Sequence, residues 1–258
     1  WHQQKSMFKK RDCVLLEVHS VELVLDLGNT ALKAGIFLEG KFSHAERIPL
    51  EEAPGYINSL SRNYTFGNCI FSSVSSKKDD FDWPKDTNIL DFNSKTPVPV
   101  KNGYGSPLTL GRDRLANACF AVSSFPGQNV LIIDAGTCLK FDLVTADGTY
   151  RGGSISPGLG MRYKAMHTFT GRLPLLSTGA AKTVIGTNTE ESMRSGAFMG
   201  MVFELKGTMQ WYLEKYPDIK FCITGGDASL LAEDLNFPIF ADPYLTLKGL
   251  YSILKHNA

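Results

Sequence analysis

The chain has 258 residues, with 27 Lys and Arg against 26 Asp and Glu, a net charge of +1, 43% hydrophobic and 21% charged. That length makes one large domain or two small ones and buries about 70–75% of its unfolded surface, so folding needs no disulfide or metal. The balanced charge argues against broad adhesion to nucleic acid or to an anionic membrane, and no apolar run approaches the ~20 residues that span a bilayer. The five cysteines (Cys13, Cys69, Cys119, Cys138 and Cys222) are scattered, with no C-x-x-C and no His at i, i+4. Zinc held by sequence-local ligands is therefore not expected, and a reducing, cytoplasmic setting is.

Residues 1–20 lack periodicity and read as an N-terminal extension outside the core. Residues 21–27, 31–38 and 41–48 read as strands, with turn residues at Gly28-Asn29 and Glu39-Gly40. A helix over 51–62 and a buried strand over 68–74 follow. Residues 75–111 read mostly as loop, with a short strand near Ile89-Leu90. A helix over 114–124 stops at Pro126-Gly127. The order then restarts, with strands at 129–134, 138–145 and 149–155 and a helix near 158–168. Met193, Ala197, Met201, Leu205, Met209 and Leu213 recur every four residues, which predicts a core-facing helix over 189–216, bent at its glycines. A strand at 219–224 and helices at 227–234 and 245–255 complete the chain.

Two passages repeat. Asp26-Leu-Gly-Asn-Thr-Ala-Leu-Lys33 matches Asp134-Ala-Gly-Thr-Cys-Leu-Lys140 with one gap. Each lies between two strands, so the α/β chain reads as a duplicated βββα-type unit. The division expected is an extension at 1–20, a first domain at 21–127 and a second at 128–258.

Gly35 to Lys41 fits G-x-x-x-x-G-K, but Phe42 stands where a phosphate loop needs Ser or Thr, and Ile36-Phe37-Leu38 is strand. Gly40-Lys41 is therefore a hairpin turn. The Asp26-Gly28-Asn29-Thr30 turn suits phosphate better: a tight glycine turn offers clustered N–H donors, and Asp26 at the strand end can hold magnesium directly or through water. Gly136 and Thr137 offer the same in the second repeat, with Asp134 and Asp142 as carboxylates. Two such hairpins face to face would grip a polyphosphate. Thr224-Gly225-Gly226-Asp227 lets a flat ring approach the backbone and suits an adenosine; the plainer reading is a strand-to-helix turn with Asp227 as N-cap. In Gly111-Arg112-Asp113-Arg114, a carboxylate between two arginines stays ionised and can take a proton from an alcohol, while an arginine fork recognises carboxylate or phosphate.

Taken together, the motifs DLGNTALK (26–33), NGYGSPLTLGRDR (102–114), DAGTCLKFD (134–142), GGSISPG (152–158), GTNTEESMRSG (186–196), TGGD (224–227) and LTLKGL (245–250) resemble the type III pantothenate kinases. These belong to the superfamily of acetate and sugar kinases, heat-shock chaperones and actin. The resemblance runs from about Val21 to Leu254. It implies two ribonuclease H-like domains (duplicated βββαβα-type units) with ATP in the cleft between them, and phosphorylation of pantothenate at the entry to coenzyme A synthesis. It places Asp26, Gly28, Asn29, Thr30, Lys33, Gly136, Thr137, Gly225 and Gly226 at the nucleotide. It gives Tyr104, Gly111, Arg112, Asp113, Arg114 and Thr189 to pantothenate, with Asp113 accepting the hydroxyl proton. It implies Mg2+, a potassium or ammonium ion on Asp134, and a homodimer. Lys140 departs from the pattern, which has a smaller residue there. The residues alone leave open a kinase of another hydroxy acid or sugar, and a non-enzymatic nucleotide-binding protein on the same fold.

Overall fold

A computed structural model describes residues 21–28, 31–63, 66–73, 76–83, 87–181 and 183–258, with the backbone alone at 61–63. The N-terminal extension, Asn29 and Thr30 lie outside the described residues.

The first sheet holds β1 (Val21–Leu27), β2 (Ala31–Leu38), β3 (Lys41–Pro49), β4 (Phe66–Ser73) and β5 (Asn88–Asp91) in the order β3-β2-β1-β4-β5. β1 and β2 pair antiparallel, as do β2 and β3, whereas β4 joins β1 in parallel. The β2–β3 turn has Glu39 at φ 50° and Gly40 at φ 79°, the positive-φ pair that lets a two-residue hairpin follow the strand twist. The expected phosphate-loop decoy is thus a hairpin turn. Helix α1 (Ala53–Asn63) crosses from β3 to β4.

The second sheet repeats that order. β7 (Val130–Ala135), β8 (Cys138–Thr145), β9 (Thr149–Pro157), β10 (Lys220–Thr224) and β11 (Ile239–Ala241) run β11-β10-β7-β8-β9, with β6 (Lys101–Asn102) added beside β9. The same pairing pattern on both halves is the duplicated ribonuclease H-like unit. β6 and β11 have only two and three residues, too short to carry a period-2 pattern, and the sequence reading gave neither. β6 also places residues 101–102 in the second sheet, so the sheets interleave across the expected division at residue 127.

Alternation sorts the core. Leu23, Leu25 and Leu27 pack on the outer side of the first sheet with Ile57 of α1, while Val24 faces inward. Leu131 and Ile133 pack outward in the second sheet, while Val130 and Ile132 face inward. Between the sheets lie α2 (Arg112–Ser124) and α7 (Leu245–His256). Gly249 lets them touch, since a Cβ there would stand 1.9 Å from the Ala116 carbonyl oxygen. The outer face of the second sheet carries α3 (Leu159–Thr168), α5 (Gly200–Lys215) and α6 (Ala228–Ala232).

The helix expected over 189–216 is three pieces: α4 (Thr189–Arg194), a π-helical segment Ser195–Met199, and α5. The π segment spans Gly196 and ends at Gly200, two of the glycines at which the bend was expected. Helix α6 is shorter than the expected 227–234.

Candidate active site

The two hairpin carboxylates stand at equivalent places. Asp26, next to last in β1, is in register with Lys33 of β2 and Ser72 of β4. Asp134, next to last in β7, is in register with Lys140 of β8 and Thr224 of β10. Strand ends are where a parallel core sheet opens onto a ligand cleft.

The two lysines behave differently. Lys33 is exposed. The Lys140 side chain is only 15% exposed, and its Nζ lies 2.6 Å from Asp113 Oδ2 and 2.7 Å from Asp134 Oδ2. Asp113 sits in the first turn of α2. Lys140 thus ties the acceptor motif to the second hairpin, a link that sequence reading missed. The signal was present, because the departure from the family pattern fell on this residue.

The electrostatics follow from that link. Burial pushes the Asp113 carboxyl up, but the Lys140 charge, its hydrogen bond and backbone N–H groups more than offset it, leaving the pKa below the usual value. Burial pushes Asp26 up to about 6; Lys33 opposes the rise, while Asp113 and Asp134 add to it. Asp26, Asp113 and Asp134 therefore share one electrostatic neighbourhood.

Arg114 does not face the cleft freely. It is 5% exposed, with Nε 2.9 Å and Nη2 2.5 Å from Asp142 Oδ1, and Tyr150 donates to the same oxygen at 2.6 Å. Asp142 is thereby neutralised inside the fold, which corrects its expected place as a free carboxylate of the second phosphate hairpin. Tyr104 packs here too, its ring centroid 5.5 Å from the Arg114 guanidinium carbon. Arg112 differs: its Nη1 donates to the Ser73 carbonyl at 2.5 Å, across to the end of β4, and it has no carboxylate partner among the described residues.

The glycine turns contribute shape more than donors. The Gly28 N–H closes onto the Ala31 carbonyl and the Gly136 N–H onto the Cys138 carbonyl, both at 3.1 Å. Thr137 is exposed at the tip of the second turn. The Thr224–Asp227 turn folds over the end of β7. Gly225 has φ 101°, a Cβ on it would stand 2.3 Å from the Ala135 carbonyl oxygen, and the Asp227 N–H donates to that carbonyl at 2.9 Å. Gly226 has open space where its Cβ would be. Asp227 stands at the N-cap of α6, as the plainer reading expected, but its side chain makes no capping bond. Thr189 opens α4 at the surface and has no hydrogen bond to the acceptor motif among the described residues.

Magnesium and nucleotide can be tested against these groups. Among the described residues no cluster of three or more metal-ligating side chains occurs. One half-buried carboxylate beside a glycine turn, with phosphate oxygens and waters completing the shell, is a donor set magnesium accepts. Asp26 fits that description.

Two facing ribonuclease H-like halves, each ending a central strand in Asp beside a glycine turn, define the fold that sugar kinases and actin share. Solved structures share the fold. A Campylobacter jejuni protein described as a Baf family transcriptional activator aligns with a TM-score of 0.61 at 19% identity, over 91% of this chain and 98% of its own. A Listeria monocytogenes protein assigned as an N-acetylmannosamine kinase aligns at 0.53 and 12% identity, over 92% and 100%. At such identities these show the fold alone. The family is shown by sequence. The type III pantothenate kinase family model matches residues 22–210. Relatives of that name from Christiangramia forsetii and Phocaeicola vulgatus are 40% and 38% identical over 240 residues, covering 92% of this chain and 99% of theirs. The chain belongs to the type III pantothenate kinase family.

Proposed function

We propose that the protein transfers the γ-phosphoryl group of ATP to the primary hydroxyl of pantothenate, giving 4′-phosphopantothenate and ADP, the first step of coenzyme A synthesis. The observation that carries this reading is Asp113, an ionised carboxylate on the first turn of α2, fixed by Lys140 beside the hairpin carboxylate Asp134. The hydroxyl oxygen attacks the γ-phosphorus, the bond to the ADP oxygen breaks, and the hydroxyl proton passes to Asp113. A loose transition state releases that proton late, so a carboxylate of low pKa suffices. Positioning and charge neutralisation then dominate the rate.

The nucleotide lies between the halves in this reading. Gly28, Asn29, Thr30, Lys33, Gly136 and Thr137 meet the phosphates, and Gly225 and Gly226 admit the adenosine. Asp26 holds magnesium, which when bound neutralises phosphate charge. On the acceptor side, Gly111 and Tyr104 line the pocket. Arg112, with no internal carboxylate partner among the described residues, is the better placed arginine for the pantothenate carboxylate. Arg114 contributes chiefly by holding Asp142.

We place the enzyme in the cytoplasm; among the described residues no helix is long and apolar enough to cross a membrane. We also propose a homodimer with the acceptor pocket near the interface. Support comes from Ile155, Met161 and Phe203, all exposed; their neighbours Ser156 and Arg162 both donate to Glu204, which draws β9, α3 and α5 to one place. Phe169 and Ile185 are 85% and 79% exposed.

The test is ATP-dependent formation of 4′-phosphopantothenate, run beside a panel of sugars and hydroxy acids. Turnover confined to pantothenate is the expected result. Preference for another acceptor, or hydrolysis indifferent to any acceptor, would refute the reading.

A further inference from the structure

The duplication places the same cross-strand pair in both halves, Asp26 with Lys33 and Asp134 with Lys140. Only the second lysine turns inward. Its ammonium stands between two carboxylates at lengths typical of charge-assisted hydrogen bonds, on a side chain 15% exposed. Asp26 adds a third carboxylate to the same neighbourhood. Lysine is the one cationic side chain that reaches Asp134 or Asp113 among the described residues.

The family resemblance gives Asp134 a free potassium or ammonium ion, and the geometry does not fit that ion. Asp134 Oδ2 already accepts from Lys140, so a cation of the same charge there would stand against the ammonium. An ammonium ion and a lysine side-chain ammonium are the same chemical group, the second carried on a tether. Tethering removes the need to bind the group from solution, because its local concentration is fixed by the chain.

We propose that the Lys140 ammonium is this enzyme's built-in monovalent cation: it occupies the place on Asp134 otherwise taken by a free ion, holds Asp113 toward the acceptor hydroxyl, and makes turnover independent of added potassium or ammonium. Lys140 is a positioning residue in this account. Its Nζ has three donors, of which two serve Asp113 and Asp134. The inference rests on the kinase reading above.

The test compares the wild-type enzyme with Lys140→Ala and Lys140→Met in magnesium buffers of equal ionic strength. The monovalent cation is tetramethylammonium, potassium or ammonium. Wild-type rates should agree within about twofold across the three. Lys140→Ala should lose about 10²-fold in tetramethylammonium, the scale of a misplaced reacting group, and regain at least about tenfold in potassium or ammonium. Lys140→Met fills the space without the charge and should not be rescued. A second readout needs no substrate: potassium or ammonium should raise the melting temperature of Lys140→Ala specifically, and leave the wild type unmoved. The proposal is overturned by wild-type turnover that rises more than about tenfold with potassium, or by a potassium-specific rise in wild-type melting temperature. It is equally overturned by a Lys140→Ala enzyme that keeps its rate, or that potassium and ammonium both fail to rescue. If Lys140→Ala does not fold, the wild-type salt response and melting curves decide alone. A wild type that phosphorylates no pantothenate in any of the buffers would refute the kinase reading, whereas the melting curves would still judge Lys140.

Discussion

Asp113 and its neighbours can be separated by single substitutions, because their partners differ. Asp113→Asn keeps size and one acceptor oxygen but loses the charge that Lys140 faces and the capacity to take a proton. Turnover is expected to fall about 10²–10⁴-fold, with nucleotide affinity by calorimetry largely kept. A loss below tenfold would remove the proton-acceptor role. The two flanking arginines should diverge. Arg112→Ala is expected to raise KM for pantothenate and leave folding intact, since among the described residues its hydrogen bond is to the Ser73 carbonyl alone. Arg114→Ala strands Asp142, itself 1% exposed, without its ion pair; such a loss destabilises by about 3–5 kcal/mol, and a melting curve should show it before kinetics do. Asp26 gives a pH signature. Its carboxyl is raised from 3.8 to about 6, so the folded state holds the proton more tightly than the unfolded chain. The cost of ionising it is therefore absent near pH 4 and complete above pH 6, so this group removes stability as the pH rises between the two. Asp26→Asn should melt higher than the wild type at pH 7.5, by about 1–3 kcal/mol, with the gap closing toward pH 4, while activity is lost. An unchanged melting temperature at pH 7.5 would contradict the burial argument.

At the scale of elements, the turn after β10 offers two adjacent glycines with opposite demands. Gly225 is held by geometry: its φ of 101° and the 2.3 Å approach to the Ala135 carbonyl leave no room for a methyl group. Gly225→Ala should therefore destabilise the fold by about 1–3 kcal/mol and displace the turn from β7. Gly226 meets nothing where its Cβ would stand, so Gly226→Ala should melt as the wild type does. If the adenosine lies against that backbone, the same variant should bind ATP more weakly. Calorimetry showing wild-type ATP affinity in Gly226→Ala would move the adenosine elsewhere. The π segment between α4 and α5 belongs to this scale as well. It carries buried Ser195, Ala197 and Phe198, so the extra residue in its turn is fixed by packing against the second core.

For the whole molecule, α2 and α7 lie between the sheets and share one core with both, so the halves are joined by apolar burial as well as by the ion pairs Arg114–Asp142 and Lys140–Asp113. The outer surface is less complete. Phe169, Leu175 and Ile185 stand 85%, 61% and 79% exposed. Light scattering is expected to give a dimer at assay concentration. Phe203→Asp should shift it toward monomer with the fold retained, since Phe203 is 53% exposed. An active wild-type monomer would refute the dimer, and with it the acceptor pocket near the interface.

Much of this protein was legible before folding. The apolar strand, glycine turn and second strand at 21–38 and again at 130–145 fixed the duplicated architecture, because strand period and turn chemistry are local. The motif around Asp113 pointed to an ionised carboxylate, but the charge that lowers its pKa is that of Lys140 and not of the flanking arginines. What local pattern does not contain is the partner of a side chain. Arg112 and Arg114 are equivalent in sequence, yet one reaches β4 and the other is buried on Asp142, 28 residues away. Strands β6 and β11 exist because longer strands offered them an edge. Lys140 stood out only as a misfit. The pleat of β8 turns its ammonium inward, and the docking of α2 sets Asp113 against it, so tertiary structure alone decided that a lysine would stand between the two carboxylates.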